Sequence, residues 1–205
     1  RTQCTVVLVD YRLAPEFPFP AALDDVEQAA QWLVDRRAQL AGSANGPLIV
    51  AGDSAGGNLA AVFAQRAAQR GQSHWAPQVL LYPVTQADLD GPSYLDSQRQ
   101  LLLTREDMRW FWDHYLPQAD QRQQVSASPL AARDLRGVPP AVVLTAEFDV
   151  LREEGQAYAD RLAQAGITVV QRCFIGQMHG FVTMPLLSAS HTALEWLGEQ
   201  IEPWL

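Results

Sequence analysis

Cysteine is nearly missing from this chain of 205 residues: Cys4 and Cys173 stand alone and far apart. Two isolated thiols build neither a disulfide framework nor a metal-ligand spacing, and no metal or cofactor is expected. They suit a reducing compartment, which makes the cytoplasm the expected location. No apolar stretch approaches the ~20 residues a membrane-spanning helix needs, so stable membrane insertion is not expected. Positive charge is scarce and nowhere runs together: Lys+Arg number 15 against 23 Asp+Glu, a net charge of −8. A chain this acidic lacks the electrostatic footprint of a nucleic-acid binder or of a protein held on anionic lipid. No initiator methionine and no secretory leader are visible in the sequence, which opens Arg1-Thr2-Gln3-Cys4 and moves into a short apolar run. The start is therefore expected to lie inside a longer chain. No internal repeat is visible. What is present is a hydrophobic fraction of 48%, enough for one buried core, so residues 1–205 read as a single domain.

The most informative stretch lies a quarter of the way along. Leu48-Ile49-Val50-Ala51 reads as a short buried strand, and Asn58 to Ala64 opens a helix. Between them stands Gly52-Asp53-Ser54-Ala55-Gly56-Gly57. Gly-x-Ser-x-Gly between a strand and a helix is the pattern of a nucleophile elbow, whose strained turn lifts the serine hydroxyl clear of the sheet. The tightness of such a turn predicts that Gly52 and Gly56 stand where side chains do not fit. The helix start points backbone N–H groups at the place where an oxyanion would form. A plain Gly/Ser loop would carry no chemistry; the flanking strand and helix favour the elbow.

Around the elbow, strands and helices alternate. Thr5 to Asp10 is a continuous β-branched run, predicting a strand covered on both faces. Three prolines between Tyr11 and Pro20 predict an extended loop. Ala21 to Gln39 carries a helical stripe, residues 42–47 a loop, and the elbow helix is expected to stop near Gly71. Gln78 to Tyr82 is a further strand. The segment 84–139 breaks the alternation and reads as an insertion or cap. Within it, Thr104 to Asp107 forms a capping box that opens a helix carrying Met108, Trp110, Phe111, Trp112 and Tyr115. Core packing is the first reading of those aromatics, a cap over a pocket the second. Alternation resumes with a strand over Ala141–Ala146, a helix over Leu151–Ala165, an edge-like strand over Ile167–Phe174 and a helix over Ser188–Ile201, with Leu194, Trp196, Leu197 and Ile201 inward. The pattern predicts an α/β fold with a mostly parallel sheet and helices on both faces.

A serine hydroxyl needs a base, and the base an orienting acid, both at the carboxyl ends of the strands. Of the four histidines, His74 precedes its strand, His114 and His191 lie within helices, and His179 follows a strand in the loop Gly176-Gln177-Met178-His179-Gly180-Phe181. His179 is the expected base. Glu147 and Asp149 both follow the strand ending at Ala146; Asp149 lies on the loop and is preferred. Asp53 is turned away by the elbow, and the macrodipole alone accounts for Glu153 and Glu154 in a first helical turn. The order Ser54, Asp149, His179 is the one typical of α/β-hydrolases.

Over essentially its whole length the chain resembles the hormone-sensitive-lipase-like carboxylesterases of the α/β-hydrolase superfamily. The likeness rests on Asp10-Tyr11-Arg12-Leu13-Ala14-Pro15-Glu16, on Gly52 to Ala60, on Ser128-Pro129-Leu130, on Pro139-Pro140, on Glu147-Phe148-Asp149-Val150-Leu151 and on His179-Gly180-Phe181. The resemblance implies Ser54 as nucleophile, Asp149 as acid, His179 as base and the Ala55 N–H as one oxyanion donor. It implies a small-molecule ester of short or medium acyl chain as substrate, with a homodimer as the candidate assembly. An amidase or peptidase with the same triad, a non-catalytic small-molecule receptor and an inert fragment are the rival readings; the receptors of this family lack the histidine. The family's upstream His-Gly-Gly-Gly loop does not occur here. The chain therefore resembles the carboxy-terminal two-thirds of the domain, missing a strand that belongs between Val6–Val9 and Leu48–Ala51, and it is expected to be a poor catalyst by itself.

Overall fold

A computed structural model describes Thr2, residues 4–42 and residues 46–205. Residues 43–45, the middle of the loop expected at 42–47, lie outside the described residues. The chain order is α1 (Ala21–Ala41), β1 (Leu48–Asp53), α2 (Ala55–Gln69), β2 (Trp75–Leu81), α3 (Pro92–Leu95), α4 (Arg105–Tyr115), β3 (Ala141–Phe148), α5 (Arg152–Gln164), β4 (Val169–Met178) and α6 (Ser188–Ile201). The described strands form one parallel sheet in the order β1-β2-β3-β4. The β1–β2 register shifts between Leu48 and Val50, opposite the stretch that holds Pro77, which has no N–H for the ladder.

Alternate residues of the central strands face opposite layers. Leu80 and Val143 pack with Ala60, Ala61 and Ala64 of α2 and Tyr158, Ala159 and Leu162 of α5. Val79, Val142 and Leu144 face the other way, against Phe174, Phe181 and Ala193 and Leu197 of α6. Helices thus cover both faces, as the alternation required. α1 lies on α2 and β1 through Val26, Ala30, Leu33 and Val34. Leu194 is an exception to the expected inward stripe of α6: it is exposed, while Leu197 is buried. The apolar arc of this helix is narrower than its composition suggested.

Thr5–Asp10 does not form the strand that its β-branched run predicted. It runs without ladder pairing, with Val6 82% and Leu8 91% exposed. β-Branched residues favour extended backbone, but a strand exists only where a neighbour completes its hydrogen bonds. A groove of about 580 Å³, lined by Val7, Val9, Val50 and Gly52 among others, separates this segment from β1. β1 is consequently an edge strand, and Ala51 is exposed on it.

The junction of β1 and α2 is the tightest point of the fold. Ser54 has φ 53° and ψ −116°. A Cβ on Gly52 would lie 2.2 Å from the Gly56 carbonyl oxygen, and one on Gly57 would lie 2.9 Å from Pro83 Cβ. Gly56 was expected to be the second required glycine, but a Cβ there meets only Asp53 Oδ1, at 4.0 Å. The second glycine that the turn needs is Gly57, because it is this residue that α2 presses against the segment after β2. Gly52→Ala is expected to cost about 3 kcal/mol or more of stability, whereas Gly56→Ala, at an early helical position, is expected to be neutral or stabilising by up to about 1 kcal/mol. Chemical denaturation of the two variants checks this ordering.

Candidate active site

Three parallel strands deliver three polar side chains to the same rim of the sheet. Ser54 follows β1, Asp149 follows β3 and His179 follows β4. Ser54 is held by its own backbone: its N–H donates to the Leu81 carbonyl at 2.9 Å, and its carbonyl accepts from Val84 N at 3.2 Å and from Asn58 N at 3.1 Å. Asp149 is fully buried; Oδ1 accepts from the Leu151 N–H at 2.9 Å, which orients the carboxylate. Its Oδ2 lies 2.8 Å from His179 Nδ1, and His179 Nε2 lies 3.0 Å from Ser54 Oγ. This arrangement assigns the Nδ1 proton to the Asp149 side and leaves Nε2 to accept from the serine hydroxyl. All three sequence-selected residues are therefore in one hydrogen-bonded line.

The residues passed over lie elsewhere. Glu147 Oε2 accepts from the Gly176 N–H at 2.7 Å and so braces the end of β4, three residues before His179. Asp53 is exposed and lines the groove beside β1. His74 stands before β2, its ring against Trp75, and His191 Nε2 bonds the Pro185 carbonyl. His114 lines the Ser54 cavity, but its Nδ1 is bonded to the Trp110 carbonyl at 2.8 Å.

The cavity beside Ser54 holds about 460 Å³ and is mostly apolar. Ala55, at the N-terminus of α2, sits on its wall next to Ser54, where the first helical N–H groups have no partner within the helix. The segment 11–17 forms a second wall, pinned by Arg12, whose Nη2 lies 2.8 Å from Asp25 Oδ1 on α1 and whose backbone N–H donates to Asp25 Oδ2 at 2.9 Å. α4 forms a third. Its capping box is present, Thr104 and Asp107 bonding each other's backbone N–H. Core packing, the first reading of its aromatics, covers only half of them. Met108 and Trp112 are buried against Tyr94 and Leu116, Trp110 and Phe111 are half exposed, and all four line the cavity. One short helix does both because Met108 and Trp112, four positions apart on its inward face, reach the core and the cavity wall together.

Glu154 departs from the expectation. It is not a surface carboxylate answering a helix dipole: it is buried, and its Oε1 accepts from Thr85 N at 2.6 Å and Gln86 N at 3.3 Å while Oε2 takes the Tyr94 hydroxyl at 2.9 Å. It ties the start of α5, just past Asp149, to the loop whose Val84 holds the Ser54 carbonyl. Nothing in its neighbours in sequence marks it off from Glu153; only the packing of α3 and the post-β2 loop over α5 buries one of the pair. Tyr82 was likewise missed, and its only sequence signal is its place before Pro83 at a strand end.

Residues 1–183 match the family described as the alpha/beta hydrolase fold. The chain is 40% identical over 188 residues to carboxylesterase NlhH of Mycobacterium tuberculosis, covering 90% of this chain and 59% of that protein. It is 39% identical over 180 residues to an ethyl acetate hydrolase of Pseudomonas putida, covering 87% of this chain and 56% of the relative. Among solved structures it is similar to EstE1, a thermostable carboxylesterase from a metagenomic library, with a TM-score of 0.90 at 40% identity over 96% of this chain and 67% of that one. The chain thus spans less than two thirds of the length of these two curated relatives.

Burial pushes the Glu154 carboxyl up to about 8, the Asp149 charge adding and the Thr85, Tyr94 and Gln86 donors opposing. A carboxyl whose native pKa lies above its unfolded value of 4.5 contributes stability that is full below that value and is lost as pH rises toward about 8. The melting temperature is therefore expected to fall by several degrees between pH 5 and pH 8 through this group. Glu154→Gln, which keeps an acceptor for the two N–H groups, removes that slope. Thermal melts of both proteins across the window check it, since their difference cancels every other titrating group.

Proposed function

This chain belongs to the α/β-hydrolase family, in its hormone-sensitive-lipase-like carboxylesterase group, and from that premise we propose that the protein hydrolyses carboxylic esters through an acyl-enzyme formed on Ser54. The observation that carries the reading is the line Ser54 Oγ, His179 Nε2, His179 Nδ1, Asp149 Oδ2, with links of 3.0 and 2.8 Å at the wall of the apolar cavity.

The chemistry follows from the geometry. Oγ attacks the ester carbonyl while Nε2 takes its proton; the imidazolium that forms is held by the buried Asp149 carboxylate. The carbonyl oxygen becomes an oxyanion beside the α2 N-terminus, where the Ala55 N–H and the helix dipole favour negative charge. Collapse expels the alcohol, which takes the proton from Nε2, and a water molecule repeats the sequence on the acyl-enzyme to release the acid and free Ser54. The cavity suits an apolar acyl or alcohol group of short to medium length. The acidic surface and the two free thiols, Cys4 and Cys173, go with a small-molecule substrate and a cytoplasmic location. Among the described residues no helix is long and apolar enough to cross a membrane.

In the full-length protein, a fluorophosphonate is expected to label Ser54 alone, with mass spectrometry locating the adduct; a label on another serine ends this reading. Ser54→Ala is expected to lower kcat by about 10³-fold or more. Asp149→Asn is expected to cost about 10⁴-fold through the wrong histidine tautomer, and Glu147→Gln much less. A reversal of that order in steady-state kinetics would make Glu147 the acid.

Residues 1–205 contain no His-Gly-Gly-Gly sequence, and loss of even one oxyanion donor costs about 10² to 10³ in kcat. Tested on a short-chain nitrophenyl ester, residues 1–205 alone are expected to fall below a chain extended through such a loop by at least that factor. Equal kcat/KM would mean that all the oxyanion donors lie within residues 1–205.

A further inference from the structure

Two non-glycine residues among those described have backbone in the left-handed half of conformational space: Ser54, with φ 53°, and Tyr82, with φ 36°. The first is explained by the elbow. The second is a bulky aromatic at the end of β2, where such a φ is a true outlier and persists only if its surroundings hold it there. The surroundings do. The Tyr82 N–H donates to the Leu144 carbonyl at 2.6 Å, and Leu81, just before it, and Val84, two residues after, grip the elbow: Leu81 O accepts from Ser54 N, and Val84 N donates to Ser54 O. The twist turns the Tyr82 ring, with no exposed surface, toward His179. The two ring centroids are 4.8 Å apart at an interplanar angle of 58°, and Phe181 backs the tyrosine from 6.2 Å.

We propose that Tyr82 is a positioning residue for His179, setting the tilt of the imidazole that serves Asp149 and Ser54. The inference rests on the catalytic roles of Ser54 and His179. Hydrogen bonds at Nδ1 and Nε2 pin two points of the imidazole ring, and the ring can still roll about the line between them. A roll swings the Nε2 lone pair off Ser54 Oγ while both partners stay in place. A rigid ring packed at 4.8 Å blocks that motion on one side. Burial first, then the charges of Asp53 and Asp149, raises the Tyr82 phenol well above its ordinary range. A neutral phenol adds no charge beside the imidazole, and the ring contact at 4.8 Å is what holds the tilt.

The test compares Tyr82→Phe, Tyr82→Leu and Ser54→Ala in the full-length protein, with Tyr158→Leu as a stability control. Tyr158 is equally buried but lies between α2 and α5 on the opposite layer, bonded to Gln65. Tyr82→Phe is expected to keep kcat within about twofold. Tyr82→Leu is expected to lose about 10- to 100-fold in kcat, the scale of a slightly misplaced catalytic group, with KM little changed. Fluorophosphonate labelling should slow in the same ratio. Tyr158→Leu should lower the melting temperature without that loss in kcat. A folded Tyr82→Leu protein with near-normal kcat overturns the proposal, as does a Tyr82→Phe protein that loses as much as Tyr82→Leu. If Tyr82→Leu does not fold, Tyr82→Met, which fills more of the same space without a ring, carries the same comparison. Retained hydrolysis in Ser54→Ala would instead overturn the catalytic reading itself, and the two failures are thereby distinguished.

Discussion

The contact between the Gly52 backbone and the Gly56 carbonyl governs the rest of this molecule. It lets β1 reverse into α2 within one residue, and that residue, Ser54, is left strained with its hydroxyl above the sheet. The strain is held in place by neighbours on the next strand. Leu81 and Val84 bond the Ser54 backbone on both sides, and Pro83 lies against Gly57. The site is thus built across two strands before either the histidine or the acid is added. Strain of this kind survives only when the structure around it is over-determined.

The same logic explains how the long irregular stretch between β2 and β3 keeps its shape. It has few ladder bonds of its own, and buried backbone groups must be paired. Side chains from the regular elements pair them. Asn58 donates to the carbonyls of Val84 and Ala127, Gln65 to Pro129, Gln78 to Pro139, and Arg161 to Leu130 and Ala132. Glu154 works in the opposite sense, accepting from the N–H groups of Thr85 and Gln86. α2 and α5 therefore do two jobs. Their apolar faces cover the sheet, and Asn58, Gln65, Arg161 and Glu154 fasten the segment that carries α4 over the cavity. Removing one of these donors would leave the carbonyl it serves buried and unpaired.

On the other side of the site the fold is open. Segment 4–9 and β1 face each other across a groove, and neither completes the other's hydrogen bonds. The chain covers 59% and 56% of the length of the two curated relatives. An edge such as β1, with apolar residues and unpaired backbone, is a surface that natural sheets cover.

Much of the α/β pattern and the candidate site was legible from local sequence. Hydrophobic runs and periods placed β1, α1, α5 and α6 almost to the residue, because those signals are set by neighbours within one or two turns. Gly-x-Ser-x-Gly between strand and helix pointed to Ser54, the strand-end rule singled out His179 among the histidines, and Asp149 was preferred to Glu147 for its place on the loop; the structure brings these three candidates together. Tertiary structure decided whatever depends on partners far along the chain. His179 and Ser54 are 125 positions apart, and only the parallel stacking of β1 to β4 brings them within a hydrogen bond. Thr5–Asp10 has the composition of a strand but lacks a neighbour to pair with. Glu154 and Glu153 look alike in sequence, yet packing buries one. Gly57 rather than Gly56 is the glycine that must be small, because Pro83 arrives from another strand. Tyr82 takes a backbone angle that no local propensity would assign it, because the elbow and His179 hold it from both sides.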